Sequence, residues 1–366
     1  MILATGGCWD AMDIEDRDIS TAVVVDYRDG EYSFYVEIAA ITSKVQNMKS
    51  EQGSADGLNT NTIKASGKTL AEARLELDAL LNKPIFLGAV QALILTESMA
   101  DNGITEYAYR VRQMIDYRKI MDVVVTPDNP EDFLGVVPSN ESTVGFAIED
   151  TLDTLIDLGS TFHMSIADLL EKLASQNPAY LISTLSVVNG QIKLVGYTVF
   201  EGGYRVGSIP YEDSQGIVYI MLGQAKGTPK FDYVVPVGEG RITTDTALVS
   251  MDITPRYEDG IVKFQLDMCF EGMPLYPSDN IVLSSEVKEE YREALTRQLY
   301  EEIYQTVALS QEYDCDYLSF SETFRIRYPD IFAEMNWADE FKKAEFSISV
   351  SAEIVSNPAV DYTPYD

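Results

Sequence analysis

Apolar and β-branched residues first gather in two runs, 19–26 and 31–41, with Asp29 and Gly30 between them. An Asp-Gly pair joining two such runs predicts a hairpin, because the tight turn requires positive φ. Residues 42–66 are rich in Ser, Asn, Thr and Gly without periodicity and predict a long mobile loop. Thr69 and Glu72 then form a capping box, and Leu70, Ala73, Leu77 and Leu80 recur at helical spacing behind it. Gly67-Lys68-Thr69 resembles the end of a phosphate-binding loop, but the glycine that motif needs five residues earlier is Thr62. The pattern continues with extended segments at 85–88 and 90–95, a helix at 104–117, a buried strand at 121–125 ended by Pro127, and a helix at 166–175. Asn177-Pro178 marks a break. Helices and strands intermix from about residue 15 to 185, which predicts a mixed α+β or α/β region.

The second half has a different texture. Short strand-like runs at 194–200 and 204–209 flank Gly202 and Gly203, and Asp259-Gly260 predicts a second hairpin between 248–256 and 261–270. Residues 286–311 predict one long helix whose apolar members Val287, Tyr291, Ala294, Leu295, Leu299, Ile303 and Val307 form a stripe, a packing face for a sheet. Phe346, Ile348, Val350 and Ile354 alternate with polar residues, the period of a half-buried strand. The expected fold is α+β and multidomain. A mixed helix and sheet N-terminal region precedes a C-terminal antiparallel sheet packed on one long helix.

Composition narrows the class. With 46% hydrophobic and 23% charged residues and a mean hydropathy of −0.07, the chain has the make-up of a globular protein. No stretch reaches the ~18 consecutive apolar residues of a transmembrane helix. Fifty-nine acidic against 27 basic residues leave a net charge of −32, which repels phosphate backbones and anionic headgroups. Nucleic-acid binding is therefore disfavoured. Attachment to a membrane would need hydrocarbon rather than basic residues.

Candidate chemistry is sparse. The single histidine, His163, excludes two-histidine zinc motifs and leaves one candidate base for a triad. Carboxylate pairs such as Glu149 with Asp150, or Asp153 with Asp157, have the residue types of glycoside hydrolysis. In so acidic a chain such pairs arise without catalytic meaning, so no catalytic residue is assigned. No spaced ligand loop supports a Ca²⁺ site, and neither a metal site nor a cofactor is expected. Cys269 and Cys315 are too few for a disulfide scaffold, and the reading favours two separate thiols over a pair. Cys8, in Gly6-Gly7-Cys8-Trp9-Asp10, is either an unmodified thiol or the lipid-accepting cysteine of a bacterial lipoprotein. Thr5 stands where such signals carry Leu, and Met1–Ala4 is shorter than the roughly 7–15 apolar residues an export signal requires. On the lipoprotein reading the true start lies upstream of Met1, or the signal has been trimmed.

Several of these patterns coincide in order with one family. Cys8-Trp9-Asp10 with the acidic segment that follows resembles the mature start of the Ger(x)C lipoproteins, the C subunits of spore germinant receptors. Gly67 to Ala73 resembles the family's helix start, and Ile85-Phe86-Leu87-Gly88 with residues 91–95 resembles its strand pattern. Residues 194–200 fall where the family's C-terminal domain begins. Arg327-Tyr328-Pro329, Trp337 and the alternation from Phe346 to Ile354 resemble its closing motif. Two departures stand out: Ala89 replaces a usual histidine, and the segment from Ile115 to Arg118 is altered.

The resemblance implies a non-enzymatic protein in three parts: a signal remnant in residues 1–8 with a lipidated Cys8, an N-terminal germination-protein domain at 9–185 and a C-terminal one at 190–358. It also implies attachment through lipid to the outer face of the spore inner membrane. The implied partners are integral-membrane A-type and B-type receptor subunits, which together trigger germination. The alternative is a lipid-anchored extracytoplasmic solute-binding protein, although neither half shows the long run of alternating strands and helices usual there.

Overall fold

The structure, a computed structural model, describes residues 13–39, 60–277 and 283–355. They fall into two compact units. The first takes the chain up to residue 151 together with 164–170 and 184–194, and the second takes 152–163, 171–183 and the chain from 195 onward.

The first unit is built on β1 (Asp18–Arg28), β2 (Glu31–Ala39), β3 (Thr60–Gly67), the short β4 (Ile85–Phe86), β5 (Ala92–Thr96) and β6 (Asp122–Thr126). β1 and β2 form the expected hairpin, with Asp29 at φ 55° and Gly30 at φ 80°. β1, β5 and β6 run parallel, and the middle of β1 and all of β5 and β6 are buried, the near-continuous apolar pattern of a parallel sheet. Part of the predicted loop at 42–66 is a strand. β3 pairs antiparallel with β2, placing Ile63 opposite Val36, while residues 40–59 lie outside the described residues. Only Ala65 of β3 is buried, so backbone hydrogen bonds hold this strand and no apolar period reveals it.

Four helices complete this part of the chain: α1 (Leu70–Leu80), α2 (Glu97–Asn102), α3 (Thr105–Gln113) and α4 (Pro130–Leu134). α1 carries its predicted cap. Thr69 Oγ1 accepts the Glu72 N–H at 3.1 Å, and Glu72 Oε2 accepts the Lys68 N–H at 2.9 Å. Leu70, Ala73 and Leu77 are buried, whereas Leu80, included in the predicted stripe, is exposed. α3 stops at Gln113 and not at 117. Lys119 Nζ donates to the carbonyls of Val111 and Met114, satisfying helix-end acceptors that would otherwise be orphaned. Four elements contribute residues to both units: α5 (Val144–Asp157), α6 (Ile166–Ala174), β7 (Ala179–Val188) and β8 (Gln191–Glu201).

The second unit adds β9 (Tyr204–Pro210), α7 (Gln215–Gln224), β10 (Lys230–Val237), β11 (Gly240–Glu258), β12 (Ile261–Pro277) and α8 (Ser285–Glu312). It ends with α9 (Phe320–Arg327), α10 (Pro329–Glu334), α11 (Trp337–Phe341) and β13 (Glu345–Ile354). β10, β11, β12 and β13 are neighbours in that order, and the Asp259-Gly260 turn joins β11 to β12 as expected. The sheet differs from the prediction at one edge: β13 joins β12 in parallel. The reason is the connection, since α8 to α11 form the helical crossover that parallel neighbours require. Tyr291, Leu295, Leu299, Ile303 and Val307 of α8 are all buried. A Cβ on Gly272 of β12 would lie 2.6 Å from Leu295 Cδ2, so the glycine lets helix and sheet close up.

Candidate functional site

The cysteines separate by environment. Cys8, the expected lipid acceptor, lies outside the described residues. Cys269 is exposed on β12, while Cys315 is buried, and both are free thiols. Burial pushes the Cys315 thiol up to about 12, so it is a core group and not a nucleophile. His163 and the carboxylates of Asp150, Asp153 and Asp157 are exposed. Among the described residues no group of three His, Cys, Asp or Glu is placed to hold a metal ion. No described helix is long and apolar enough to cross a membrane.

In the first unit a buried carboxylate organises the start of α5. Glu37, fully buried at the end of β2, accepts the Val144 N–H on Oε1 at 2.8 Å and the Gly145 N–H on Oε2 at 3.1 Å. Thr21 Oγ1 donates to the same Oε2 at 2.6 Å. Thr143 supplies the local cap by accepting the Phe146 N–H at 3.2 Å. The charge of Glu37 is thus held by helix N-terminal donors, a favourable site for an anion.

The same unit contains a small pocket between α1, α3 and one face of the β1–β2 hairpin. Its volume is about 20 Å³, and its floor is apolar, with Val23, Phe34, Val36, Leu77 and Leu87. Arg74 of α1, Tyr107 and Arg110 of α3, and Met114 and Tyr117 complete the wall. Tyr107 and Tyr117 are buried, and their hydroxyl oxygens are 3.5 Å apart. Burial raises both phenols above their ordinary value and keeps them protonated. The segment after α3 is fixed by Lys119 at the helix end and by Arg118, whose guanidinium donates to Gln91 Oε1 at 2.8 Å. The sequence reading did not single out Arg74, Tyr107 or Arg110, while Tyr117 lies in the segment from Ile115 to Arg118 that it marked as altered. A signal was present, since Tyr107 and Arg110 are three apart on one predicted helix, on neighbouring positions of one face.

The second unit has its own buried acid. Asp316 accepts the N–H groups of Phe320 at 2.9 Å and Ser321 at 2.7 Å, Trp337 Nε1 at 2.9 Å and Asn177 Nδ2 at 3.2 Å. Burial raises its carboxyl from 3.8 to about 6, against the pull of those donors. The arrangement ties the start of α9 to the Trp337 indole, beside the aromatic cluster of Phe264, Phe320, Phe324 and Phe341. On α8, Glu302 accepts the Tyr233 hydroxyl at 2.6 Å, and burial raises its carboxyl from 4.5 to about 7. Both acids are engaged in holding elements of one unit together.

The sequence matches two family models laid end to end along the chain. The spore germination protein N-terminal domain covers residues 10–187, and the spore germination B3/GerAC-like C-terminal domain covers residues 195–357. The chain belongs to the Ger(x)C family of spore germination proteins, and its role lies in spore germination. It is similar along almost its whole length to three proteins of Bacillus subtilis (strain 168). Spore germination protein YndF is 20% identical over 97% of this chain and 94% of the relative. Spore germination protein KC is 21% identical over 96% and 92%, and spore germination protein B3 is 22% identical over 97% and 95%. The crystal structure of the GerBC protein shares the fold, with a TM-score of 0.56 and 15% identity over 91% of this chain and 97% of that one.

Proposed function

We propose that this chain is the C-type subunit of a nutrient germinant receptor. It is held by lipid on Cys8 at the outer face of the spore inner membrane and assembles there with integral-membrane A-type and B-type subunits. The observation that carries the reading is the continuity of the match: the two family domains fill residues 10–187 and 195–357, and the first begins two positions after Cys8. On this reading 9–185 and 190–358 are the working domains, and Cys8 carries the anchor ahead of them.

The physical chemistry is consistent with such a tether. A net charge of −32 gives an anionic membrane nothing to attract, so hydrocarbon must supply the binding energy. Each buried methylene contributes ~0.8 kcal/mol, and two acyl chains hold where one does not. Tethering also raises the effective concentration of the chain beside its partners, so individually weak contacts suffice for assembly. The role is non-enzymatic: Asp316 and Glu302, the buried acids with raised carboxyls, are both engaged in holding the second unit together.

The test is genetic. In a strain lacking redundant receptors, deletion of the gene abolishes nutrient germination, the intact gene restores it, and a Cys8→Ala copy restores it poorly. Unchanged germination after deletion would overturn the proposal.

A further inference from the structure

The parallel strands β1, β5 and β6 begin at one edge of the first unit's sheet, and the chain enters from Cys8 at that edge. The N–H of Asp18, the first residue of β1, donates to the Pro84 carbonyl. Gln91, just before β5, donates its N–H to the Thr21 carbonyl, and its own carbonyl accepts the Asp122 N–H at the start of β6. Arg118 reaches the Gln91 side chain at 2.8 Å and so holds the connection between α3 and β6 against this edge. Asp13, the first described residue, stands five positions after Cys8. Five residues reach at most ~18 Å when fully extended, so a lipid on Cys8 keeps this edge close to the bilayer.

The connection between α3 and β6 exposes apolar side chains. Ile115 is 94% exposed and Ile120 66%, and Ile14 and Leu80, near the same edge, are exposed by 52% and 47%. Single exposed apolar residues are ordinary, but two bare isoleucines on one short connection mark a contact surface. The local charge also runs against that of the chain. Residues 110–120 hold Arg110, Arg112, Arg118 and Lys119 against Asp116 alone, in a sequence with 59 acidic and 27 basic residues. Apolar side chains flanked by cations are the pattern of an interfacial membrane contact, in which hydrocarbon enters the boundary of headgroups and acyl chains.

We propose that this edge rests on the phospholipid bilayer, with Ile115 and Ile120 entering the headgroup region and Arg112 and Arg118 beside the lipid phosphates. The inference rests on the lipid tether proposed for Cys8 and adds the edge that the tether brings down. The two isoleucines supplement the hydrocarbon of the anchor, and the local excess of cations spares this contact the repulsion that the acidic surface meets elsewhere. Tethering raises the effective concentration of the edge at the bilayer, so a contact too weak to hold the free chain suffices to orient the anchored one.

Fluorescence on vesicles tests the proposal. The full chain with Cys8→Ser and Cys269→Ser carries one further substitution, Ile115→Cys, Ile120→Cys or Glu31→Cys, labelled with an environment-sensitive dye. Cys315 is buried and stays unlabelled. Glu31 is exposed at the opposite end of the sheet, where β2 begins. An N-terminal histidine tag holds each protein on vesicles of phosphatidylcholine and phosphatidylglycerol that contain a nickel-chelating lipid. A nitroxide-labelled lipid in the same vesicles quenches any dye that enters the bilayer. The expected result is quenching at positions 115 and 120 and none at 31, with loss of quenching at 120 when Ile115→Asp is added. Unfolding curves establish that each labelled chain is folded. Absence of quenching at 115 and 120 would overturn the proposal, and so would equal quenching at all three positions. Shielding of the two dyes only after spore membrane proteins are added would overturn it as well, marking the edge as a protein interface. The tag supplies the anchor whatever Cys8 carries, so failure here counts against the edge, while the mass of the native N-terminal peptide decides the lipid on Cys8.

Discussion

Glu37 Oε2 accepts the backbone N–H of Gly145 at 3.1 Å, joining two residues 108 positions apart. The contact makes a strand end the cap of a helix. It explains why α5 begins where it does: the acceptor for its first free N–H groups comes from β2, with Thr143 giving only the local share.

Replacing Glu37 with Ala strands three buried donors, the N–H groups of Val144 and Gly145 and the Thr21 hydroxyl. At ~1–3 kcal/mol for each unsatisfied group, the expected loss is about 3 kcal/mol or more. Glu37→Gln keeps an acceptor and costs less. Denaturant unfolding of the purified chain reads both, and an unchanged midpoint in Glu37→Ala would show that the cap contributes nothing.

Gly145 is fixed by space and not by backbone freedom. A Cβ there would lie 2.1 Å from the Thr21 carbonyl oxygen, a backbone atom that cannot swing away. Gly30 is the opposite case, with open space around it and a φ of 80°. Gly145→Ala should therefore cost ~1–3 kcal/mol through overpacking. An unfolding midpoint equal to that of the unsubstituted chain would contradict the close approach of α5 to β1.

The second unit should lose stability as pH rises through the weakly acidic range. Asp316 is raised from 3.8 to about 6 and Glu302 from 4.5 to about 7, so the folded chain holds more protons than the unfolded one across those windows. The contribution of both acids is complete below pH 3.8, declines as pH rises through 6 and 7, and is flat above that. Glu302→Gln, which cannot ionise, removes the upper part of the decline. Urea unfolding measured between pH 4 and 8 shows this as a flatter profile in the variant, while parallel profiles would refute the assignment.

Removing the Asp316 side chain is the harsher change. Asp316→Ala frees the donors of Phe320, Ser321 and Trp337 in a buried setting and should cost about 3 kcal/mol or more. Near-ultraviolet circular dichroism would report loss of the fixed environment of Trp337. A retained signal with an unchanged midpoint would show that the indole does not depend on the acid.

What could be read in the chain was local. The Asp29-Gly30 and Asp259-Gly260 turns and the Thr69–Glu72 cap each rest on neighbouring residues, and all three form as expected. Asn189 and Gly190, at φ 54° and 77°, carry the same kind of signal between β7 and β8 and were open to the same reading. α5 was not, because Glu37 and Val144 meet only after folding. α7 was hidden differently: Ile217, Val218, Tyr219 and Ile220 are buried in succession, so the helix has no polar face to set a period. The parallel setting of β13 follows from its crossover, and its own alternation shows only a strand. Arg74 and Arg110 come from two different helices, and no spacing in the sequence announces that they line one cavity.

The most direct measurement is affinity capture of the tagged chain from detergent-solubilised spore membranes, with mass spectrometry of the co-purifying proteins and of the N-terminal peptide. A receptor subunit held by lipid predicts two multi-spanning membrane proteins in the eluate and an added lipid mass on Cys8. Recovery of the chain alone from the soluble fraction, with an unmodified Cys8, would contradict both the tether and the assembly.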